Sequence, residues 1–219
     1  MPRLLFTKTG DAIWISHLDL MRLFQRAFKR AGLALTQTHG YNPRPSVSIA
    51  LPLSVGVESV CELLDFDLEG EQVPCEEITL RLNQVLVPGV TVLQTYETGS
   101  KLKELAFLRC ALTMEYDAGV PQNALEEMTE LFRRENLLVE KKGKNGIVLQ
   151  DIIPMIRHIS LQQTDENSVV LDAVICCQNP TLNPNQIVAA ISNEIPQYAP
   201  DFVRCRRLEI LDTQEKQFL

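Results

Sequence analysis

The sequence predicts an α+β fold made of two tandem ferredoxin-like units of the βαββαβ type. Three features carry that expectation. Short apolar runs alternate with polar residues at the period of a half-buried strand. Longer stretches repeat apolar residues at helical spacing and open on Ser, Asn or Pro. The order strand, helix, strands, helix, strand then occurs twice, over 1–98 and 108–219, with "TGSKLKELAF" at 98–107 as the joint. The order of elements repeats; the residues do not. A chain of 219 residues can form two such units, each with a modest core. One continuous α+β domain is the alternative.

In the first half, "RLLFTK" at 3–8 reads as a strand and "TGD" as the turn after it. A helix follows over 17–31 and is closed by Gly32. "LALTQ" reads as a short strand. "THGYNPRPS" is a loop, because two prolines and a glycine do not fit the interior of a regular element. "SVSIALP" is a strand. In "CELLDFDLEG", Leu64, Phe66 and Leu68 point one way and Asp65, Asp67 and Glu69 the other, as in a half-buried strand. "VPCEEITLRLNQVLVPG" is a helix: Pro74 suits its first turn, Glu76 and Glu77 its positive end, and Pro88–Gly89 stop it. "VTVLQTYET" is a strand.

The second half opens with the strand "LRCALTMEY" and the helix "VPQNALEEMTELFRREN". "LLVEKKGKNGIVLQ" forms a hairpin-like pair with Asn145–Gly146 as its turn. "IRHISLQQ" and "SVVLDAVIC" are strands around the polar turn "TDENS". "NPNQIVAAISNEI" is a helix with Asn183 as N-cap and Pro184 at its first position, and "VRCRRLEIL" is the last strand.

Composition is that of an ordinary globular protein, 45% hydrophobic and 22% charged. No apolar run reaches the roughly 18 residues of a membrane span, and the first residues lack the pattern of a secretory signal. A cytoplasmic protein without membrane contact is expected. The six cysteines form no C-x-x-C pair, the three histidines are scattered, and neither spacing supports a metal site. No cofactor is expected. Cys176–Cys177 reads as the end of a strand, with a redox-active or soft-metal-binding pair as the alternative.

The net charge of −7 is unevenly spread. Residues 1–50 hold seven Lys and Arg against two acids, and the remainder holds 14 against 26. Such asymmetry points to an anionic partner for the first segment, bound locally.

That segment contains "WISHLDLMRLFQRA". Ser16 is placed as N-cap, with Asp19 three residues on to complete a capping box, and Ile15 and Leu20 as a hydrophobic staple. Asp19 is thereby explained without catalysis. His17 is not, and it is the candidate catalytic residue. Leu20, Met21, Phe24, Ala27, Phe28 and Ala31 should pack inward. Arg22, Arg26 and Arg30 recur one turn apart with no acid at i±4. Guanidinium forks suit phosphate, so this face is the candidate anion or nucleic-acid site; a solvated stripe is the bland alternative. Tyr41, Asn42 and Arg44 in "HGYNPRP" could extend it from a rigid loop. The structural alternative has Tyr41 on the core and Asn42 fixing the turn. Arg204, Arg206 and Arg207, with Lys141, Lys142 and Lys144, form a second basic cluster.

The stretches "ISHLDLMRLFQRAFKRAGL", "HGYNPRPSVSIALPLSVGVES" and "CELLDFDL" resemble the radical SAM-linked protein family, a bacterial domain encoded beside or fused to a cobalamin-type radical SAM protein. The family's motif maps onto Ser16, His17, Asp19, Arg22, Arg26, Asn42, Pro43, Pro45 and Glu62. Arg44 stands where that family usually has histidine, which argues against a ligand or proton-transfer role there. The resemblance implies a cytoplasmic accessory to a radical SAM enzyme, with an RNA-related substrate.

The leading expectation is therefore a non-catalytic substrate-binding module for RNA, acting with a radical SAM protein. A metal-independent RNA-processing enzyme with His17 as general base is the second, by analogy of fold alone. A protein-interaction scaffold is the third.

Overall fold

A computed structural model describes residues 2–70, 72–143 and 146–219. The chain is α+β and divides into two compact units, one running to Glu104 and including Leu219, the other spanning Leu105–Phe218. No described helix is long and apolar enough to cross a membrane.

The first unit runs β1 (Pro2–Lys8), a 3-10 turn (Gly10–Trp14), α1 (His17–Arg30), β2 (Val47–Ile49), β3 (Glu58–Phe66), α2 (Cys75–Asn83) and β4 (Val90–Glu97). β1 lies between β4 and β3, β2 pairs with the end of β3, and every one of these pairings is antiparallel. Alternation along β1 puts Leu4 and Phe6 against the helices. There they meet Leu20, Phe24, Ala27 and Phe28 of α1, Ile78 and Leu82 of α2, and Leu64 and Phe66 of β3. The Phe6 and Phe24 rings meet edge to face at 4.7 Å.

"CELLDFDLEG" departs from its predicted pattern. Asp65 is buried and takes Nε of Arg3 at 2.6 Å and Nη2 at 3.2 Å. Arg3 is itself fully buried, on the strand beside it. The carboxylate leaves solvent because a counter-charge waits 62 residues away in sequence. "LALTQ" gives only isolated bridges, Leu35 to Leu68 and Gln37 to Pro45, and "SVSIALP" keeps three strand residues. The helix predicted to start at 73 begins at Cys75, with Pro74 as its N-cap.

The second unit runs β5 (Leu105–Glu115), α3 (Ala124–Phe132), β6 (Leu138–Gly143), β7 (Gly146–Asp151), β8 (Ile156–Asp165), β9 (Ser168–Cys176), α4 (Pro184–Glu194) and β10 (Phe202–Asp212). Its strands lie in the order β10-β5-β9-β8, all antiparallel. β5 begins three residues before the predicted strand. α4 has the predicted Asn183 cap with Pro184 behind it, and Gln186 completes a capping box. β6 and β7 form a separate hairpin inserted between α3 and β8. Asp151 gathers its two ends, since one carboxylate oxygen accepts from the backbone N–H of Leu137 and of Ile153. The predicted turn residue Asn145 lies outside the described residues, as does Lys144.

Burial shifts three groups of this unit. It pushes the Cys177 and Cys205 thiols from 9.0 to about 11, in spite of Arg207 nearby. It pushes the Tyr116 phenol from 10.0 to about 12, helped by Asp201. The folded chain keeps protons that the unfolded chain gives up above these ordinary values. The stability the two thiols contribute is thus whole below pH 9.0 and is lost as pH rises through about 11, and that of the phenol is whole below 10.0 and lost through about 12. Urea midpoints followed by far-UV circular dichroism should fall across that window, and fall less in Cys205→Ala. A midpoint flat across it would contradict the assignment.

Candidate functional site

Helix α1 begins where its side chains can serve its free N–H groups. Ser16 Oγ accepts from the backbone N–H of Asp19 at 3.2 Å and donates to the Asp19 carboxylate at 2.7 Å. The predicted box is therefore closed through the hydroxyl, not through the backbone N–H of Ser16. Asp19 also accepts from Arg22 Nη1 at 3.0 Å, an i,i+3 pair, so Arg22 does have an acid partner. The Ser16 hydroxyl, and then Arg22, hold the Asp19 carboxyl below the usual carboxylate range. Leu20, Phe24, Ala27 and Phe28 are buried, and Met21 and Ala31 half-buried, which leaves the opposite face to charge.

Arg22, Arg26 and Arg30 all line one groove of about 380 Å³, with Ile15, Asp19, Leu23 and Val87. Four residues of helix separate each guanidinium from the next, a rise of about 6 Å. Arg30 is fixed at the far end, where Nη2 donates to the carbonyl of Val85 at 2.7 Å. Arg26, in the middle, is exposed and has no hydrogen-bond partner among the described residues. Three positive charges against the single carboxylate of Asp19 leave the groove cationic.

The other candidates stand apart from it. Tyr41 is fully exposed, so it does not pack on the core, and Asn42 and Arg44 are exposed beside it. Their loop is closed at its neck, with Thr38 N–H donating to the Arg44 carbonyl at 2.8 Å and Arg44 N–H to Thr38 Oγ1 at 3.1 Å. Lys29, Gln37 and Pro45 line a second cleft between α1 and that neck. His17 is half-buried, lines neither hollow, and its Nδ1 is buried without a hydrogen bond.

The second basic cluster is largely spent on its own unit. Arg204 pairs with Glu115, and Lys141 Nζ donates to the Thr181 carbonyl at 3.1 Å. The Lys142 side chain and Lys144 lie outside the described residues. A groove of about 770 Å³ on this unit holds Arg109 and Arg157, but also Asp172, Glu209 and Glu215. Arg109 Nε is 3.0 Å from Asp172, and Arg157 Nε 3.0 Å from Glu215. Two cations against three acids do not attract an anion. Among the described residues no group of three or more His, Cys, Asp or Glu could hold a metal ion.

No curated protein matches the chain. Among solved structures it is similar to a chain in "Crystal Structure of a Cbf5-Nop10-Gar1 Complex", at 7% identity and a TM-score of 0.53. That match covers 95% of this chain and 48% of the other, so the chain spans about half the length of the protein it matches. It is also matched to "Crystal Structure of an Unknown Protein from Galdieria sulphuraria", with 10% identity, a TM-score of 0.26, and 94% and 96% of the two chains covered. At these identities the first match speaks of fold alone, and the second carries no argument. The family described as "Uncharacterized protein conserved in bacteria (DUF2344)" matches residues 2–184, which is 183 of the 219, and the chain belongs to that family.

Proposed function

We propose that this chain is a non-catalytic RNA-binding accessory that holds phosphates along α1. The observation that carries this reading is the convergence of Arg22, Arg26 and Arg30 on one groove with a single acid. Guanidinium groups spaced one helical turn apart and already positioned by Asp19 and Val85 lose little entropy on meeting phosphate oxygens. His17 stands outside the groove, which favours binding over cleavage. Each unit reads as ferredoxin-like, the second with the β6–β7 hairpin inserted, and their strand orders β4-β1-β3-β2 and β10-β5-β9-β8 support a duplication. The resemblance of the "SHLDLMR" and "YNPRP" stretches supports a radical SAM protein as the cytoplasmic partner that does the chemistry.

Phosphate contacts release counterions, so RNA affinity should fall steeply with salt. In Arg22→Ala/Arg26→Ala, the slope of log affinity against log salt should shrink by about two, one for each lost contact. Fluorescence anisotropy of labelled RNA across a salt series measures it, with circular dichroism to confirm the fold. A wild-type slope in the double variant would refute this reading.

A further inference from the structure

The only tryptophan of the chain, Trp14, is 66% exposed at the end of the 3-10 turn that precedes α1. A tryptophan left in water forgoes the burial that normally places it in a core. The turn that presents it is nevertheless clamped from three directions. The carbonyl of Ile13 accepts both the Gly56 N–H and the Lys8 ammonium, each at 2.9 Å. Thr9 N–H donates to the Gly89 carbonyl at 2.8 Å. Gly56 lies against the ring: a Cβ there would sit 3.5 Å from Cζ3, and its φ of +81° suits glycine. The ring is thus held outward by a rigid frame.

Its neighbours lead toward the arginines. Ile15, the next residue, lines the groove with Arg22, Arg26 and Arg30. Leu18 is 67% exposed and lies one helical turn before Arg22, itself one turn before Arg26. Leu18 thus heads a helical row that continues as guanidinium groups, and Trp14 is exposed on the turn just before that helix. An aromatic platform beside a cationic track is the chemistry that holds a single nucleic-acid strand, with a base on the ring and phosphates on the charges. A duplex keeps its bases stacked on one another and offers no free face to an indole.

We propose that Trp14 stacks an unpaired base and makes the α1 groove selective for single-stranded RNA. The proposal rests on the phosphate-binding reading of α1, and its test separates the two. A short oligouridylate and an RNA duplex of equal length, both fluorescein-labelled, are titrated with the full chain while anisotropy and tryptophan emission are recorded. The single strand should quench Trp14 saturably, in step with anisotropy, and should bind more tightly than the duplex. Trp14→Ala should weaken the single strand about tenfold and leave the duplex unchanged, whereas Trp14→Phe keeps most of the affinity. Circular dichroism establishes that both variants fold. Single-strand binding that leaves the emission unmoved, or equal affinity in Trp14→Ala, overturns the stacking role while the phosphate reading stands. Equal binding of the duplex overturns the selectivity. Quenching that grows with protein concentration alone would assign the face to a second copy of the chain and overturn the proposal. Binding of neither RNA removes both readings.

Discussion

Asp65→Ala is expected to be the most damaging single change in the first unit, costing about 3–5 kcal/mol, the scale of removing one partner from a buried pair. The carboxylate takes two hydrogen bonds from Arg3, whose side chain is buried across β1. Nη2 also donates to the Ser100 carbonyl at 2.9 Å. Without Asp65, the guanidinium loses the counter-charge that offsets its desolvation. Urea unfolding followed at Trp14 reads this unit directly, because Trp14 lies within it. Arg3→Met/Asp65→Ala should recover most of the loss, since an apolar pair no longer buries a charge. A double variant as unstable as Asp65→Ala would show that shape, not charge, decides the site.

Gly89→Ala should cost roughly 3 kcal/mol or more, from backbone strain added to a clash with main-chain atoms. A Cβ at Gly89 would lie 2.3 Å from the Thr9 carbonyl oxygen and 2.9 Å from Ala12 Cβ, and φ is +85°. Neither neighbour can retreat as a side-chain tip would. Thr9 is also the residue whose N–H binds Gly89, and Ala12 is buried in the turn that presents Trp14. The variant should therefore lower the urea midpoint and shift native tryptophan emission together. A midpoint within experimental error of the wild type would show that the turn yields at little cost.

Local chemistry made α1 and α4 legible in the sequence. Ser16 and Asn183 are capping residues with their partners three positions on, and such signals need nothing from the rest of the chain. The α2 boundary was not legible. Asn83 gives its amide to the Val92 carbonyl and takes the Val92 N–H, both at 2.8 Å, and this tertiary clasp ends the helix before its apolar run does. Asp65 was misplaced for a similar reason, because strand alternation cannot show a cation arriving from β1.

The arginine stripe was visible as spacing, but its convergence depended on distant residues. Val85 and Val87 come from the segment after α2, 55 residues beyond Arg30 in the case of Val85. The acid beside Arg22 stands at i−3, where a search at i±4 does not look. The exposure of Trp14 had no signal in the sequence, where it stands among Ala12, Ile13 and Ile15; only the fold turns it outward.

The hairpin of β6 and β7 has a consequence for how such chains can vary. Its stem is already bridged, by Asp151 and by the Ile152 N–H that donates to the Leu137 carbonyl at 3.0 Å. The backbone enters and leaves this arm through one small doorway. Lengthening, shortening or exchanging the arm would leave the register of β5, β8, β9 and β10 untouched, so natural diversity can gather there without redesign of the sheet.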